Sequence, residues 1–259
     1  MIEYLVDMLK MISTNLSGVC CLKGRMGRAG WYDNFYWRTD LVELYLIRHG
    51  QSENNARPEH LRVEDAELTD LGHQQAEQLA PWMATVGLDR LFCSPFRRTL
   101  QTAWPLMQQS GLEVEVKVPL HEVGGCVAGP GGDDLVGRPG ITPAELLADF
   151  PGYRIPDSID QDGWWKSQPN ETGDQIHQRV EELLQSTIAE FAESDQKIGF
   201  VMHADITHYL LSVVAGVTSD RLERVLYNTA VTRLTICRDS LVMDIYNSIS
   251  HLPMSMVSR

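Results

Sequence analysis

Short apolar runs alternate with longer helical patterns along most of the chain, and this alternation is the strongest constraint on its fold. Four apolar runs, each bounded by polar turn residues, cover residues 44–47, 91–93, 114–118 and 198–202. Segments with the apolar spacing of a helix cover residues 72–86, 98–109, 143–149 and 174–193. Strands that alternate with helices typically form a parallel sheet covered on both faces. The sequence therefore predicts an α/β protein, a three-layer α/β/α sandwich with a mostly parallel central sheet.

The predicted domain extends from residue 41 to residue 259 and closes with a hairpin. Residues 231–237 and 241–246 are strand-like and are joined by a short polar turn. Residues 124–165 are rich in Gly, Pro and Asp and show little periodicity, and loops of that length in a compact domain are usually functional. We therefore expect an inserted lid at about residues 123–170, over the C-terminal strand ends. Trp164 and Trp165 are expected in the core beneath it, and the alternative is that they line the pocket and stack on a substrate.

Composition excludes several kinds of partner. The 259 residues carry 22 Lys and Arg against 35 Asp and Glu, a formal charge of −13. This charge disfavours a nucleic-acid surface or an anionic membrane surface. No apolar run approaches the ~18 residues of a membrane span. We expect neither nucleic acid nor membrane as a partner, and an anionic ligand must be held by a local cluster of cations. The oligomeric state is not predictable from the sequence.

Residues 1–40 differ from the rest and are expected to form a poorly ordered or loosely docked extension. Residues 8–32 contain no acidic residue, which leaves organellar import open, although Glu3 and Asp7 count against it. Five scattered cysteines form no C-x-x-C pair. They are expected to be reduced thiols, and the predicted location is the cytoplasm.

Chemically active residues follow the predicted strands at the points where the strands end. Arg48 and His49 follow the first run, Arg98 lies shortly after the second, Glu122 follows the third, and His203 follows the fourth. In open parallel sheets, ligands bind beyond the carboxyl ends of the strands. We therefore expect two arginines, two histidines and one glutamate to share one site.

This set of side chains suits phosphoryl transfer. Arginine binds phosphate bidentately and stays charged at any working pH. A histidine flanked by arginines remains neutral, so His49 keeps a free lone pair and can act as a nucleophile. Glu122 can protonate the leaving oxygen and later deprotonate a water molecule. No metal-ligand set is evident, and neither a metal nor another cofactor is expected.

The same residues resemble the motifs of a known family. Arg48-His49-Gly50, the segments 68–80 (LTDLGHQQAEQLA) and 94–103 (SPFRRTLQTA), and the tail 228–236 (NTAVTRLTI) are similar to the motifs of the histidine phosphatase superfamily, of the branch 1 type with the R-H-G motif. The resemblance covers roughly residues 42–252. It implies a nucleophile, an acid and phosphate ligands at the five residues named above. The usual asparagine of the motif corresponds to Asn55. Further substrate contacts are expected at Ser52, at Ala204 through its backbone N–H, and at His121, which lies beside Glu122 and leaves a swap of roles between the two open.

Two departures from the family pattern affect the expected site. The second histidine is usually followed by two glycines, but here Ala204 and Asp205 follow His203. Asp205 could repel phosphate, orient His203 or bind a cation of the substrate. The glutamate is often followed by arginine, but Val123 follows Glu122 here.

Three functions fit these residues. The first is a metal-independent phosphatase that acts on a small phosphorylated metabolite through a phosphohistidine intermediate. The second is a phosphoglycerate mutase-type isomerase, but residues 124–162 carry as cations only Arg138 and Arg154 against at least five acids, so the predicted lid is weakly basic. The third is a binding or scaffold protein on the same fold. A degenerate member would be expected to lack at least one of the five residues, and all five are present.

Overall fold

The computed structural model describes residues 42–129, 134–191, 194–217, 226–237 and 240–259. The expected extension at residues 1–40 lies outside this part of the chain. Seven strands form the main sheet, in the order β6-β3-β2-β7-β1-β8-β9. Their bounds are β1 Val42–Arg48, β2 Arg90–Cys93, β3 Val114–Val116, β6 Tyr153–Arg154, β7 Lys197–Met202, β8 Val231–Cys237 and β9 Ser240–Ser248. Two short strands, β4 Val127–Ala128 and β5 Val136–Gly137, pair with each other.

The sheet is mostly parallel, as the alternation predicts. Strands β1, β2, β3, β6 and β7 run parallel, while β8 and β9 form an antiparallel hairpin at one side. Arg48 pairs with Met202 across β1 and β7, and Cys93 pairs with Val201 across β2 and β7. The residues that follow these three strands therefore leave the sheet at the same edge.

One predicted strand is too long. The run 114–118 ends as a strand at Val116, and a 3-10 turn covers Val118–Leu120. Lys117 still donates its N–H to the carbonyl of Cys93. Pro119 lacks an N–H and cannot continue the ladder, so the chain turns here and brings His121 and Glu122 to the sheet edge.

Helices cover both faces of the sheet. The described residues form α1 Glu53–Ala56, α2 Asp70–Val86, α3 Arg97–Ser110, α4 Pro143–Asp149, α5 Gly173–Phe191 and α6 Ala204–Ala215. Along β1, Tyr45 and Ile47 join one buried cluster with residues of α2 and α3. Leu44 and Leu46 point to the opposite face and join a second cluster with residues of α5 and α6. Because successive side chains of a strand alternate between faces, β1 is buried on both sides, which is the three-layer arrangement.

The inserted segment is packed against the sheet by its tryptophans. Trp164 and Trp165 are buried in the cluster on the α2–α3 face, which confirms their expected place in the core. Gly125 and Gly140 lie directly on these rings, where an added Cβ would come within 2.3 Å of Trp165 and Trp164, respectively. The action of this segment as a lid stays a prediction. No helix in the described part of the chain is both long enough and apolar enough to cross a membrane.

Candidate active site

The strand ends bring the five predicted side chains into one buried cup. The rings of His49 and His203 lie edge to face with centroids 5.1 Å apart. The Nε of Arg98 donates to Nε2 of His49 at 3.3 Å. Arg48 and Glu122 are close enough to interact electrostatically. Arg98 and Arg48 likewise interact electrostatically with both histidines. The residues therefore converge as predicted, although they come from four separate segments.

His49 is held as a neutral imidazole with a defined tautomer. Its Nδ1 lies 2.6 Å from the carbonyl oxygen of Gly50, which can accept only a hydrogen from the ring. The proton therefore sits on Nδ1, and the lone pair sits on Nε2. Burial, and then the charges of Arg98 and Arg48, hold the pKa of His49 well below 6.5. His49 thus offers an unprotonated nitrogen at neutral pH.

The backbone of His49 is fixed from both sides. Its N–H donates to the carbonyl of Met202 at 3.0 Å. Its own carbonyl accepts from the N–H of Thr229 at 3.2 Å and from the side-chain amide of Asn228 at 3.3 Å. These two residues belong to the motif-like segment 228–236, so this segment holds the backbone of the expected nucleophile in place.

Close backbone packing explains the glycine of the R-H-G motif. A Cβ on Gly50 would lie 2.6 Å from the carbonyl oxygen of Gly72, and a Cβ on Gly72 would lie 2.0 Å from that of Gln51. Both distances are shorter than a van der Waals contact, and both neighbours are backbone atoms that cannot rotate away. The two motifs therefore need glycine because the turn after β1 lies directly against the first turn of α2.

The two arginines of the cup, Arg48 and Arg98, are buried, and each contacts a neighbouring residue. Both are 8% exposed. The guanidinium of Arg98 lies over the ring of Phe96, 4.2 Å from its centroid. Arg48 donates through Nη1 to the carbonyl oxygen of Leu226. Burial lowers the pKa of Arg48 to about 10, so it remains charged at neutral pH.

His203 lies at the junction of β7 and α6, where it serves as the N-cap residue of the helix. Its Nε2 is 2.7 Å from the hydroxyl oxygen of Ser94. Its Nδ1 is buried and has no hydrogen-bond partner among the described residues, and the same holds for Nε of Arg48. Buried polar atoms are nearly always paired, so these two nitrogens are suited to an anion bound in the cup. The positive end of the α6 dipole points the same way.

Glu122 lies across the N-terminus of α6. Its Oε1 accepts from the N–H groups of Val123 at 2.9 Å and Ile206 at 3.0 Å, and its Oε2 accepts from that of Asp205 at 3.4 Å. Burial raises the pKa of Glu122, and the negative charge of Asp205 raises it further, against these hydrogen bonds and the charge of Arg98. Asp205, which replaces a family glycine, therefore acts on the expected acid.

The four other predicted site residues are placed less simply. The hydroxyl of Ser52 caps α1 and bonds to the side-chain oxygen of Asn55, which also accepts from Asn228. His121 is buried beside Trp164 and Trp165, and its Nδ1 contacts the carbonyl of Glu122. Ala204 begins α6 directly after His203. Substrate contact by each of these four residues stays a prediction.

An open cleft of about 290 Å³ leads into the cup. Arg98 and Glu122 lie in it together with Phe96. Its lining includes apolar residues of the insert, namely Val123, Val127, Ala128 and Leu135. It also includes Asn54, Arg62, Val63 and Glu64, which follow the R-H-G motif in the chain. Sequence reasoning missed this second group because the segment has no periodicity and no strand end.

Asp65 is a further missed residue. Its Oδ1 accepts the N–H of Arg97 at 2.8 Å, at the start of α3, where the N-cap residue Phe96 offers no side-chain bond. Burial raises the pKa of Asp65 to about 6, although the charge of Arg98 acts in the opposite direction. Asp65 thus supports the turn that carries Arg98. The described residues contain no cluster of three or more His, Cys, Asp or Glu side chains that could hold a metal ion.

A neutral imidazole with a fixed lone pair, two arginines and a carboxyl group of raised pKa thus lie together at the carboxyl edge of the parallel sheet. This set suits phosphoryl transfer, and the family and its named phosphatases make the protein a phosphoric monoester hydrolase by class. The chain belongs to the histidine phosphatase superfamily, branch 1, whose family model matches residues 44–249. The resemblance seen in the motifs is thereby confirmed.

Relatives with known names support this assignment. The glucosyl-3-phosphoglycerate phosphatase of Mycolicibacterium vanbaalenii is 30% identical over 182 residues, which cover 68% of this chain and 76% of that protein. Phosphoserine phosphatase 1 of Hydrogenobacter thermophilus is 35% identical over 74 residues, 29% of this chain and 35% of that protein. A protein of an Enterobacter species named "Probable phosphoglycerate mutase GpmB" is 32% identical over 83 residues, 32% of this chain and 39% of that protein.

Solved structures share the fold. Bacillus stearothermophilus YhfR has a TM-score of 0.59 at 22% identity, covering 81% of this chain and 98% of its own. The mycobacterial glucosyl-3-phosphoglycerate phosphatase in complex with VO3 has a TM-score of 0.55 at 23% identity, covering 80% of this chain and 99% of its own. The predicted α/β sandwich is confirmed by these likenesses and by the strand order.

Proposed function

We propose that this protein is a metal-independent phosphatase that hydrolyses a small phosphorylated metabolite through a phosphohistidine on His49. The observation that carries the proposal is the state of the His49 ring. The Gly50 carbonyl holds the proton on Nδ1, and the lone pair of Nε2 faces Arg98. A nucleophile needs such a lone pair. Arg98, the residue expected to bind the phosphate, lies within hydrogen-bond distance of it.

The phosphate dianion is bound by the cations and the N–H donor that surround this nitrogen. Arg98 and Arg48 supply guanidinium groups, and Nδ1 of His203 supplies a donor once the hydroxyl of Ser94 donates to its Nε2. Arg98 exchanges its bond to His49 for bonds to phosphate oxygens, which frees the lone pair for attack. These groups also neutralise the charge of the transition state.

Two chemical steps follow. Nε2 of His49 forms a bond to phosphorus while the bond to the ester oxygen breaks, and Glu122 gives its proton to the leaving alcohol. Glu122, now a carboxylate, then takes a proton from a water molecule whose oxygen attacks phosphorus. The P–N bond breaks, the electron pair returns to His49, and inorganic phosphate leaves. Glu122 ends protonated, as it began.

The names of the relatives bear on the choice between hydrolysis and isomerisation. Relatives carry names of both kinds: phosphatases of glucosyl-3-phosphoglycerate and phosphoserine, and probable phosphoglycerate mutases from several species. The cleft that contains Arg98 and Glu122 is open, and we expect it to admit water to a phosphorylated His49, which favours hydrolysis. Incubation with 3-phosphoglycerate separates the two reactions. Release of inorganic phosphate supports the proposal, and interconversion with 2-phosphoglycerate without release supports the mutase.

The test of mechanism uses p-nitrophenyl phosphate, whose leaving group needs no acid. His49→Ala is expected to lose turnover. Glu122→Gln is expected to form phosphoenzyme but to hydrolyse it about 10²–10⁴-fold more slowly, because the general base is lost. The intermediate should therefore accumulate and be recovered on quenching at neutral to high pH, since phosphohistidine is labile to acid.

His73→Ala serves as the control, because His73 is exposed on α2 and lies outside the cup. Its turnover and its phosphoenzyme level should match those of the wild type, with or without a metal chelator. Wild-type turnover in His49→Ala would overturn the nucleophile assignment. Loss of all activity in the chelator would overturn the metal-independent mechanism.

A further inference from the structure

A buried ion pair lies next to the turn that carries Glu122, and the proposed mechanism does not use it. Arg179 of α5 binds Glu171, which lies two residues before that helix. The Nε of Arg179 donates to Oε1 of Glu171 at 2.8 Å, and its Nη2 donates to Oε2 at 2.7 Å. The two side chains are only 12% and 8% exposed. Because burial of two charges costs free energy that their attraction often fails to offset, such a pair is weak evidence of a role in stability.

The pair also binds the backbone on both sides of the expected acid. Before the acid in the chain, Nη1 of Arg179 donates to the carbonyl of Pro119 at 2.8 Å and to that of His121 at 3.1 Å. After the acid, Oε2 of Glu171 accepts the N–H of Gly124 at 3.3 Å. Three bonds of the pair thus reach backbone groups within three residues of the acid.

The position of Glu122 depends on the backbone of this turn. The chain leaves the sheet after Lys117, and residues 121–125 follow a 3-10 turn instead of a strand. From there the carboxyl group reaches the N–H groups of Val123 and Ile206. A general acid must also meet the leaving oxygen, and a displacement of about 1 Å at a catalytic group can cost about 10²-fold in rate. A device that fixes the turn therefore affects catalysis directly.

We propose that Arg179 and Glu171 are positioning residues for Glu122, and that the pair fixes the turn from which this carboxyl group reaches the cup. This inference rests on the proposed phosphatase function, in which Glu122 is first the acid and then the base. Arginine suits the task because the donors of its planar guanidinium can hold a carboxylate and two carbonyl groups in fixed directions. The N–H of Glu171 also donates to the carbonyl of Gly124 at 3.3 Å, so the pair ties the two ends of the insert together beside the acid.

The test compares two esters that differ in one methylene group. The leaving group of p-nitrophenyl phosphate needs no acid, whereas the alkoxide that leaves p-nitrobenzyl phosphate must be protonated. The measured quantity is the ratio of kcat/KM for p-nitrobenzyl phosphate to kcat/KM for p-nitrophenyl phosphate. Both values report only the steps up to phosphorylation of His49, so the ratio measures the help that the acid gives. A general loss of structure lowers both values and leaves the ratio unchanged.

The main variant is the double substitution Glu171→Gln/Arg179→Gln, which leaves neither charge buried without its partner. It should lower the ratio about 10-fold or more, because a displaced catalytic group loses much of its effect. Glu122→Gln removes the acid itself and should lower the ratio further. Arg179→Lys keeps the charge but not the planar fork, so its ratio should lie between those of the wild type and the double variant. Arg179→Lys carries the test if the double variant does not fold.

The matched control breaks a similar ion pair on the closing hairpin. Arg233 of β8 donates through Nε and Nη2 to the two carboxylate oxygens of Asp244 on β9, at 2.8 and 2.6 Å. Its other ion-pair partner is Glu43 on β1. The double variant Arg233→Gln/Asp244→Asn should therefore keep the wild-type ratio.

The outcomes separate this inference from the phosphatase proposal. A wild-type ratio in Glu171→Gln/Arg179→Gln, or an equal fall in the control, overturns the inference and leaves the phosphatase proposal standing. If the wild type hydrolyses only p-nitrophenyl phosphate, the level of phosphoenzyme decides. It should rise in the double variant as in Glu122→Gln, because a displaced base hydrolyses phosphohistidine more slowly, and a wild-type level overturns the inference. Failure to form any phosphoenzyme on His49 overturns both.

Discussion

The carboxyl group of Glu122 is subject to opposing electrostatic effects. Burial and the charge of Asp205 raise its pKa, while the N–H groups of Val123 and Ile206 and the charge of Arg98 lower it. The net shift is upward. A general acid acts only when it is protonated, so this shift extends to higher pH the range in which Glu122 can protonate a leaving group.

Asp205→Asn should therefore move the pH profile of the enzyme. Removing a negative charge beside Glu122 lowers the pKa of its carboxyl group. The alkaline limb of kcat/KM, measured with an alkyl phosphate whose departure needs the acid, should shift to lower pH. With p-nitrophenyl phosphate the first step needs no acid, so the shift should be smaller.

The control for this variant is Asp174→Asn. Asp174 is an exposed acidic residue in the first turn of α5, remote in sequence from the site. The substitution Asp174→Asn removes the same formal charge from the whole molecule and should leave the alkaline limb of the kcat/KM profile in place. An alkaline limb that stays in place, or moves to higher pH, in Asp205→Asn would contradict the assignment of Glu122 as the acid.

At the scale of elements, local sequence patterns predict the helices well. Contacts between segments that are distant in the chain are not predictable from such patterns. The helical periods at 72–86, 98–109 and 143–149 correspond to α2, α3 and α4 within two residues at each end. The end of β3 was mispredicted because β-branched residues continue past Val116, although the proline that stops the strand is visible in the sequence.

The support of α3 shows why the rest of the site escaped prediction. Caps that lie within one turn, such as Thr142 with Glu145, are visible as local motifs. Helix α3 starts without one, and its first N–H is satisfied by Asp65, which lies 32 residues earlier. The bond from Nε of Arg62 to the backbone carbonyl of Asn54, at 3.1 Å, likewise depends on how an aperiodic segment folds back on α1.

Asp65→Ala should weaken the first turn of α3 and the expected phosphate contact of Arg98 in that turn. Loss of a cap-like bond to a helix N-terminus typically costs about 0.5–2 kcal/mol of unfolding free energy. We also expect a higher inhibition constant for inorganic phosphate, because Arg98 lies in that turn. Urea denaturation and competitive inhibition measure the two effects.

Asp65→Asn keeps an oxygen that can accept the N–H of Arg97, so this second variant tests the charge alone. The pKa of Asp65 is raised to about 6, so in the wild type its charge is lost as pH falls through that value. The difference in phosphate inhibition between wild type and Asp65→Asn should therefore narrow from pH 7 to pH 5. A difference that is constant over this range would show that the charge of Asp65 does not support Arg98.

For the whole molecule, buried neutral histidines set the response to acid. Burial lowers the pKa of His121 and His251 to about 4, and those of His49 and His203 are lowered well below 6.5. Below pH 6.5 the unfolded chain binds protons that the folded chain does not, so these groups lose their stabilising contribution as pH falls. The raised pKa values of Asp65 and Glu122 act in the opposite direction, but the histidines outnumber them.

We therefore expect the Tm to fall as pH decreases from 7 to 5. His251→Gln should make this fall less steep, because one buried imidazole is removed while a side chain able to bond the hydroxyl of Thr229 remains. Calorimetry over this pH range measures the slope. His73→Gln, on the exposed face of α2, should leave the slope as in the wild type, and an unchanged slope in His251→Gln would count against this account.

The bond from Arg98 to the ring of His49 has a consequence for the enzyme between turnovers. A lone pair already engaged by a neighbouring donor reacts slowly with stray electrophiles, so we expect the His49 ring to resist adventitious modification while no substrate is bound. In the proposed mechanism, the phosphate of the substrate attracts Arg98 away from the ring. We therefore expect His49 to become reactive only after its own substrate has bound.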